Sequence, residues 1–263
     1  MPLVYAPSGK SREYSPLACN IYLSCSHKCK YCYAPGALYR TADEYFLPPM
    51  PRTDMLAKLK AELSEEKYDK QIMLSLIGDL YCETVDRNHA ARVALRYFLE
   101  HGAPVAVLTK GGERCLKDIE ILSKFGHRIQ VGASLTFWDE SKSKQWEEGA
   151  ALPLDRLETL KVLREKGIKT FACFEPVIDP AQSLAVLKKS LEMDCVDTYK
   201  IGKLNSYNGL DRNIDWTIFL KKCLALLRWE KKNLYIKQSL RMAAPSVELT
   251  NAEKDPDLYN TQV

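Results

Sequence analysis

Cys25-Ser26-His27-Lys28-Cys29-Lys30-Tyr31-Cys32-Tyr33 is the stretch on which the reading of this chain turns. Its three cysteines stand at C-x3-C-x2-C, directly after the apolar Ile21-Tyr22-Leu23. Thiolates are soft ligands that suit iron–sulfur clusters and zinc. Three of them this close together cannot all point apart, so a shared metal centre is the natural reading. A structural zinc site wants a fourth Cys or His at similar spacing, and no such pair follows nearby. An iron–sulfur cluster normally takes four cysteines, so three leave one iron short. An open coordination site suits catalysis better than scaffolding. The competing readings are a zinc knuckle that borrows His27 and a chance clustering of thiols.

Working outward, 263 residues fit one large α/β domain, a size that α/β barrels reach undivided. Apolar residues make up 46% of the chain, enough for a sizeable core. A net charge of +4 is too weak to indicate a nucleic-acid partner by itself. The first residues lack the apolar core of a signal peptide, and no apolar run approaches a membrane span. A cytoplasmic protein is therefore expected, with its nine cysteines reduced. Cys19, Cys82, Cys115, Cys173, Cys195 and Cys223, outside the triad, mostly read as small buried apolar residues.

Apolar periodicity gives the architecture. Strands are expected at 18–24, 71–77, 104–108, 128–135, 169–174, 196–201 and 234–237. Helices are expected at 52–67, 84–101, 112–125, 154–166, 180–192 and 214–230. Such alternation argues for parallel β-α units, about six of them, hence a barrel or part of one. The strand C-terminal ends would then share one face, which carries the chemistry in α/β barrels. The cysteine loop follows the first strand and belongs to that face. The organisation expected is an N-terminal arm (1–17), a core domain (18–242) and a polar C-terminal surface tail (243–263).

The cysteine spacing, with Tyr33 directly after Cys32, resembles the radical S-adenosylmethionine (radical SAM) superfamily. The wording Cys19-Asn20-Ile21-Tyr22 through Tyr33-Ala34-Pro35-Gly36 is most similar to the spore photoproduct lyase-like branch, and the likeness runs from about residue 15 to about residue 242. The resemblance implies a partial (βα)6 TIM-type barrel, open on one side. It implies that Cys25, Cys29 and Cys32 hold three irons of a [4Fe–4S] cluster, with S-adenosylmethionine chelating the fourth. It further implies an electron donor such as flavodoxin or ferredoxin. DNA or a nucleotide becomes a substrate to consider, by analogy alone.

Residues just past each strand are the remaining site candidates. Gly78-Asp79-Leu80-Tyr81 stands where the branch often has Thr-Asp-Pro-Tyr; Gly78 and Asp79 would lie near the cofactor's amino group, without the threonine hydroxyl. Lys110, in Thr109-Lys110, matches a lysine that contacts the cofactor carboxylate, and Ser134 matches a cofactor-contacting serine. Tyr33 would lie near the adenine, with Val177 as an apolar adenine contact and Glu175 close by. Lys203, Asn205 and Lys237 end later strands and face either substrate or solvent. Cys82 reads either as a small residue packed under the next helix or as a hydrogen-atom donor at the catalytic mouth.

Other chemistries find no support: the chain has no P-loop, G-x-G-x-x-G, G-x-S-x-G or H-E-x-x-H, and its four histidines are scattered. The alternative from another class is a zinc-binding nucleic-acid module, which would need a fourth ligand and a basic stripe with aromatics.

Overall fold

The computed structural model describes residues 2–83, 89–204 and 213–261. The strands are β1 (Val4–Tyr5), β2 (Leu17–Cys19), β3 (Ile72–Leu74), β4 (Val105–Thr109), β5 (Ile129–Ser134), β6 (Lys169–Phe174), β7 (Thr198–Ile201) and β8 (Asn233–Ile236). Interleaved with them are α1 (Ala34–Ala37), α2 (Ala42–Tyr45), α3 (Met55–Glu65), α4 (Ala90–Glu100), α5 (Ile119–Lys124), α6 (Glu140–Trp146), α7 (Pro153–Glu165), α8 (Pro180–Glu192), α9 (Trp216–Trp229) and α10 (Gln238–Ala243). The sheet runs β1 to β8 in sequence order. β1 pairs antiparallel with β2, through Val4 and Cys19, and every later neighbour is parallel. β1 and β8 are its two free edges, so the barrel is open.

Parallel strands covered on both faces read as continuous apolar runs, and β3, β5 and β7 are buried along their whole length. The main core lies between sheet and helices; α4, for example, turns Ala90, Ala91, Ala94, Leu95 and Phe98 inward. A smaller cluster, Ala18, Met73, Ala106 and Phe171 with Tyr14, fills the other side of the sheet. There Gly132 makes room for its register partner Phe171: a Cβ would lie 2.6 Å from the ring. Helix entries follow local chemistry. Asp179 accepts from the backbone N–H groups of Ala181 and Gln182 ahead of Pro180, and Asp215 accepts from that of Ile218.

Several boundaries differ from expectation for physical reasons. The first strand stops at Cys19 rather than 24, because Asn20 turns its side chain to the Ile77 N–H and the chain leaves the sheet. The helix expected at 112–125 begins as a 3₁₀ turn (Gly112–Asp118) before α5, since Gly112 sits at φ +55°. Of the helix expected at 84–101, residues 84–88 lie outside the described residues. β1 and α6 were not anticipated.

The N-terminal ends of the strands are closed by the two chain termini. Ser15 Oγ donates to the Gln71 carbonyl at 2.6 Å, and the Thr261 N–H donates to Gln71 Oε1 at 3.0 Å. Arg12 forms a two-pronged pair with Asp257, and Arg228 does the same with Glu253. The C-terminal segment therefore packs on the barrel.

Candidate functional site

The cysteine loop sits on the C-terminal face of the sheet and is stapled on two sides. On one side, the Lys30 N–H donates to the Trp146 carbonyl and the Gly149 N–H to the His27 carbonyl. On the other, Ser26 Oγ donates to the Glu83 carbonyl at 2.6 Å. Gly149 is required by this approach, because a Cβ there would lie 2.4 Å from the Ser26 carbonyl oxygen. Gly78 is required likewise: it adopts φ +96°, and a Cβ there would lie 2.9 Å from the Ser24 carbonyl oxygen.

Asp79 is the hub between loop and strands. Its carboxylate accepts from Thr109 Oγ1 at 2.7 Å, from the Lys110 and Tyr81 N–H groups at 2.8 Å each, and from His27 Nε2 at 3.1 Å. Burial alone would raise this carboxyl, but His27 and the other donors prevail and hold it at about 2. His27 is 2% exposed, and its other ring nitrogen faces the Gly149 carbonyl. His27, a residue of the cysteine loop, is the post that fixes the loop to Asp79.

Behind Cys29 lies a buried charge layer. Glu147 bridges to the Cys29 backbone and accepts from Arg156 Nη2 at 2.6 Å and from the Tyr31 hydroxyl. Both partners of this ion pair are about 1% exposed. Arg156 also donates to the carbonyls of Ser134 and Ala151, at 2.8 Å each. Lys110 places its ammonium 5.6 Å from the Tyr31 ring centre. Desolvation works against its charge, but Cys29 and Glu147 more than offset this and raise the lysine. Burial pushes the Cys29 thiol up to about 12.

These walls enclose a cavity of about 470 Å³. Cys25, Cys29 and Cys32 line it together with Tyr33, Gly78 and Asp79. Lys110, Ser134 and Glu175 line it as well. Val177 does not; it is fully buried in the main core. Cys82 stands behind Cys25, packed with Ala34 and Tyr45. Tyr33 donates its hydroxyl to the Leu76 carbonyl at 2.7 Å. Lys203 turns to the Leu204 carbonyl and to the Trp216 ring, and Asn205 lies outside the described residues. A larger depression of about 850 Å³ opens at the opposite, N-terminal ends of the strands. It contains no cysteine and is crossed by the exposed pair Arg164–Asp197, so size alone would misplace the site.

The far wall of the 470 Å³ cavity holds a second buried ion pair. Lys237 donates to Glu175, which also accepts from the Tyr14 hydroxyl at 2.6 Å. The Lys237 ammonium sits 3.5 Å from the Tyr14 ring centre. Gly202 leaves space for both side chains, since a Cβ would be 3.0 Å from each. Beneath it, Lys200 donates to the Tyr14 carbonyl at 3.2 Å, and burial brings its ammonium down to about 8. Sequence reading missed Tyr14, because the arm shows no period. Arg156 did leave a signal: it precedes Leu160 and Leu163 by four and seven residues, on the apolar stripe of α7.

Comparison with known proteins agrees with this geometry. Residues 19–193 match the family model of the radical SAM superfamily. The chain belongs to that superfamily. It is 26% identical over 160 residues to an uncharacterized protein of Methanocaldococcus jannaschii, covering 60% of this chain and 59% of that one. An uncharacterized protein of Acidianus two-tailed virus is 24% identical over 197 residues, covering 70% of this chain and 64% of that one. The chain thus spans about three-fifths of the length of these relatives. Among solved structures, Streptococcus suis SuiB bound to S-adenosylmethionine superposes with a TM-score of 0.61 at 15% identity, covering 89% of this chain and 53% of that one. A spore photoproduct lyase Y98F mutant gives a TM-score of 0.58 at 12% identity, covering 84% and 64%. These two share the fold: an α/β domain with an open, parallel-dominated sheet.

Proposed function

We propose that this superfamily member holds a [4Fe–4S] cluster on Cys25, Cys29 and Cys32 and binds S-adenosylmethionine beside it. The supporting observation is the convergence of the three thiols on one cavity with Lys110 and Ser134. When bound, cluster and cofactor supply reductive cleavage of S-adenosylmethionine to methionine and a 5′-deoxyadenosyl radical, which abstracts hydrogen from a substrate. Lys110, held charged by Glu147 and Cys29, is the partner for the cofactor carboxylate. Gly78 lets the backbone come close to the amino group, and Tyr33 flanks the adenine. Asp79 spends its carboxylate on the strand ends, so its contribution is to fix Lys110 and the loop. Val177 supports the adenine region only by packing. The position of Cys82 behind Cys25 supports the packing reading over hydrogen-atom donation.

Electrons would come from a donor such as flavodoxin or ferredoxin. The nine cysteines are unpaired, in keeping with a reducing cytoplasm, and no described helix is long and apolar enough to cross a membrane. DNA or a nucleotide is the substrate class carried over from the branch. The zinc alternative is disfavoured, because His27, the ligand it would borrow, is engaged by Asp79 and the Gly149 carbonyl. Anaerobic purification tests the choice: a brown, iron- and sulfide-containing protein is expected. Cys25→Ala, Cys29→Ala and Cys32→Ala should each lose colour and cofactor cleavage together. A colourless zinc protein, or a single variant with a full cluster, would overturn the reading.

A further inference from the structure

Cys82 has no chemical task in the reading above, yet its thiol is placed with care. It is 4% exposed, in an apolar nest with Cys25, Ala34 and Tyr45. Two loops hold the pair in register. The Ser26 hydroxyl ties residues 25–26 to residues 82–83 through the Glu83 carbonyl. The Cys25 and Cys82 side chains pack in the same cluster. Cys82 is anchored from behind by its contact with the Asp79 carbonyl oxygen at 3.2 Å. Of the two, only Cys25 opens on the cavity. A thiol that opens on a cavity, with a second thiol packed beside it, is the arrangement of a peroxide-sensitive pair with its resolving cysteine.

We propose that Cys25 and Cys82 form a disulfide when the cluster-free protein meets a hydroperoxide, a modification that withholds Cys25 from iron. The Cys25 sulfur attacks one peroxide oxygen; the O–O bond breaks, the departing oxygen takes the thiol proton and leaves as water, and Cys25 becomes a sulfenic acid. The Cys82 sulfur then attacks the Cys25 sulfur; the S–S bond forms, the S–O bond breaks, and the departing oxygen takes the Cys82 proton and leaves as water. In sum, two thiols are oxidised, losing two hydrogens, and one peroxide is reduced to two waters. The nest favours this step, because both thiols share one packed cluster and the Ser26–Glu83 bond ties their loops together. The disulfide would cap the oxidation at a reversible stage, which protects Cys25 from irreversible sulfinic acid. The consequence for iron rests on the assignment of Cys25 as a cluster ligand.

The test uses the full chain, stripped of iron, reduced, freed of reductant and treated anaerobically with hydrogen peroxide. Peptide mapping should find Cys25 cross-linked to Cys82, with the loss of two hydrogens. Iron and sulfide uptake should be lost after peroxide and restored by dithiothreitol. Cys82→Ser, which keeps a small polar group in the nest, should give no cross-link at Cys25, and dithiothreitol should no longer restore uptake after peroxide. Pairing of Cys25 with Cys29 or Cys32, or the absence of any disulfide, overturns the proposal. Should the cross-link form while untreated, reduced protein takes up no iron, the cluster assignment and the iron consequence both fall, and the disulfide pair stands.

Discussion

The cysteine side of the cavity and the side built on the N-terminal arm both bury charge, with opposite outcomes. Around the cysteines, Asp79 and Glu147 are held below their ordinary range and Lys110 and Arg156 above theirs. Burial opposes each of these charges, and each finds partners that outweigh it. Across the cavity, Lys200 is brought down to about 8, burial being the largest cause. One wall is therefore preorganised as a charged surface, the kind that can orient an ionic cofactor without rearranging. The other carries an ammonium that the fold tolerates but does not reward. Tight burial alone does not mark a binding wall, since the far wall also pairs Lys237 with Glu175 above the unrewarded Lys200; partners that outweigh the burial of every charge do.

The largest effect expected from breaking that contrast is at Arg156. Arg156→Met leaves Glu147 buried without its main partner, which typically destabilises by about 3–5 kcal/mol. Urea unfolding should show this loss, and iron uptake should fall with it, because Glu147 and Arg156 set the backbone of Cys29 and Ser134. The double variant Arg156→Met, Glu147→Leu should recover much of the stability. A single variant as stable as wild type would mean that the layer is not the support inferred here.

Lys200 sharpens the contrast through pH. Its pKa is depressed on folding, so the unfolded state binds more protons between about pH 8 and 10.5 and stability should rise with pH across that window. Below pH 8 the penalty is fully present, on the order of 3 kcal/mol. Other groups titrate in this range, so the quantity to measure is the difference between wild type and Lys200→Met. The variant should be the more stable at pH 7, and its advantage should shrink toward pH 10.5. Asp79 runs the other way: Asp79→Asn should remove stability that is present above about pH 4 and fades as pH falls toward 2. A flat difference profile for Lys200→Met would show that its ammonium is solvated after all.

Two lysines that line the same cavity test which wall meets the cofactor. A charge-assisted contact contributes on the order of 1.5–3 kcal/mol. Lys110→Met should therefore weaken S-adenosylmethionine binding roughly tenfold to a hundredfold in calorimetry, with cluster content unchanged. Lys237→Met should leave that affinity unchanged, because its ammonium is committed to Glu175. Equal losses in the two variants would mean that the cofactor spans both walls.

The alternation of strands and helices was legible because apolar periodicity is local, and the cysteine triad because its spacing is. Gly78, Asp79, Lys110, Ser134, Glu175 and Lys237 converged because parallel topology brings the strand ends to one face. What escaped was set by contacts between segments far apart in sequence. Tyr14 meets Glu175 and Lys237 across more than half the chain, and Glu147 meets Cys29 through a loop with no period of its own. Val177 lies close after a strand end yet faces the core, since the turn at Pro176 redirects the chain. The arm's packing was not legible because its polar residues find their partners, Asp257 for Arg12 and Tyr235 for Glu13, near the other end of the sequence.

Tyr14 offers the smallest test and the one most specific to the arm. Its phenol does two things for the far wall: the hydroxyl donates to Glu175 at 2.6 Å, and the ring lies under the Lys237 ammonium at 3.5 Å. Tyr14→Phe removes only the first. Glu175 keeps Lys237, so no buried charge is orphaned, and the loss should be about 1 kcal/mol, the usual net value of one hydrogen bond. Tyr14→Ala removes both and also opens the small cluster around Phe171, so it should cost about 3 kcal/mol or more. A Phe variant as stable as wild type, beside a damaging Ala variant, would show that the arm closes this wall by packing. A Phe variant as damaged as the Ala variant would show that the Glu175–Lys237 pair depends on the phenol, and that the far wall is as tightly coupled as the cysteine side.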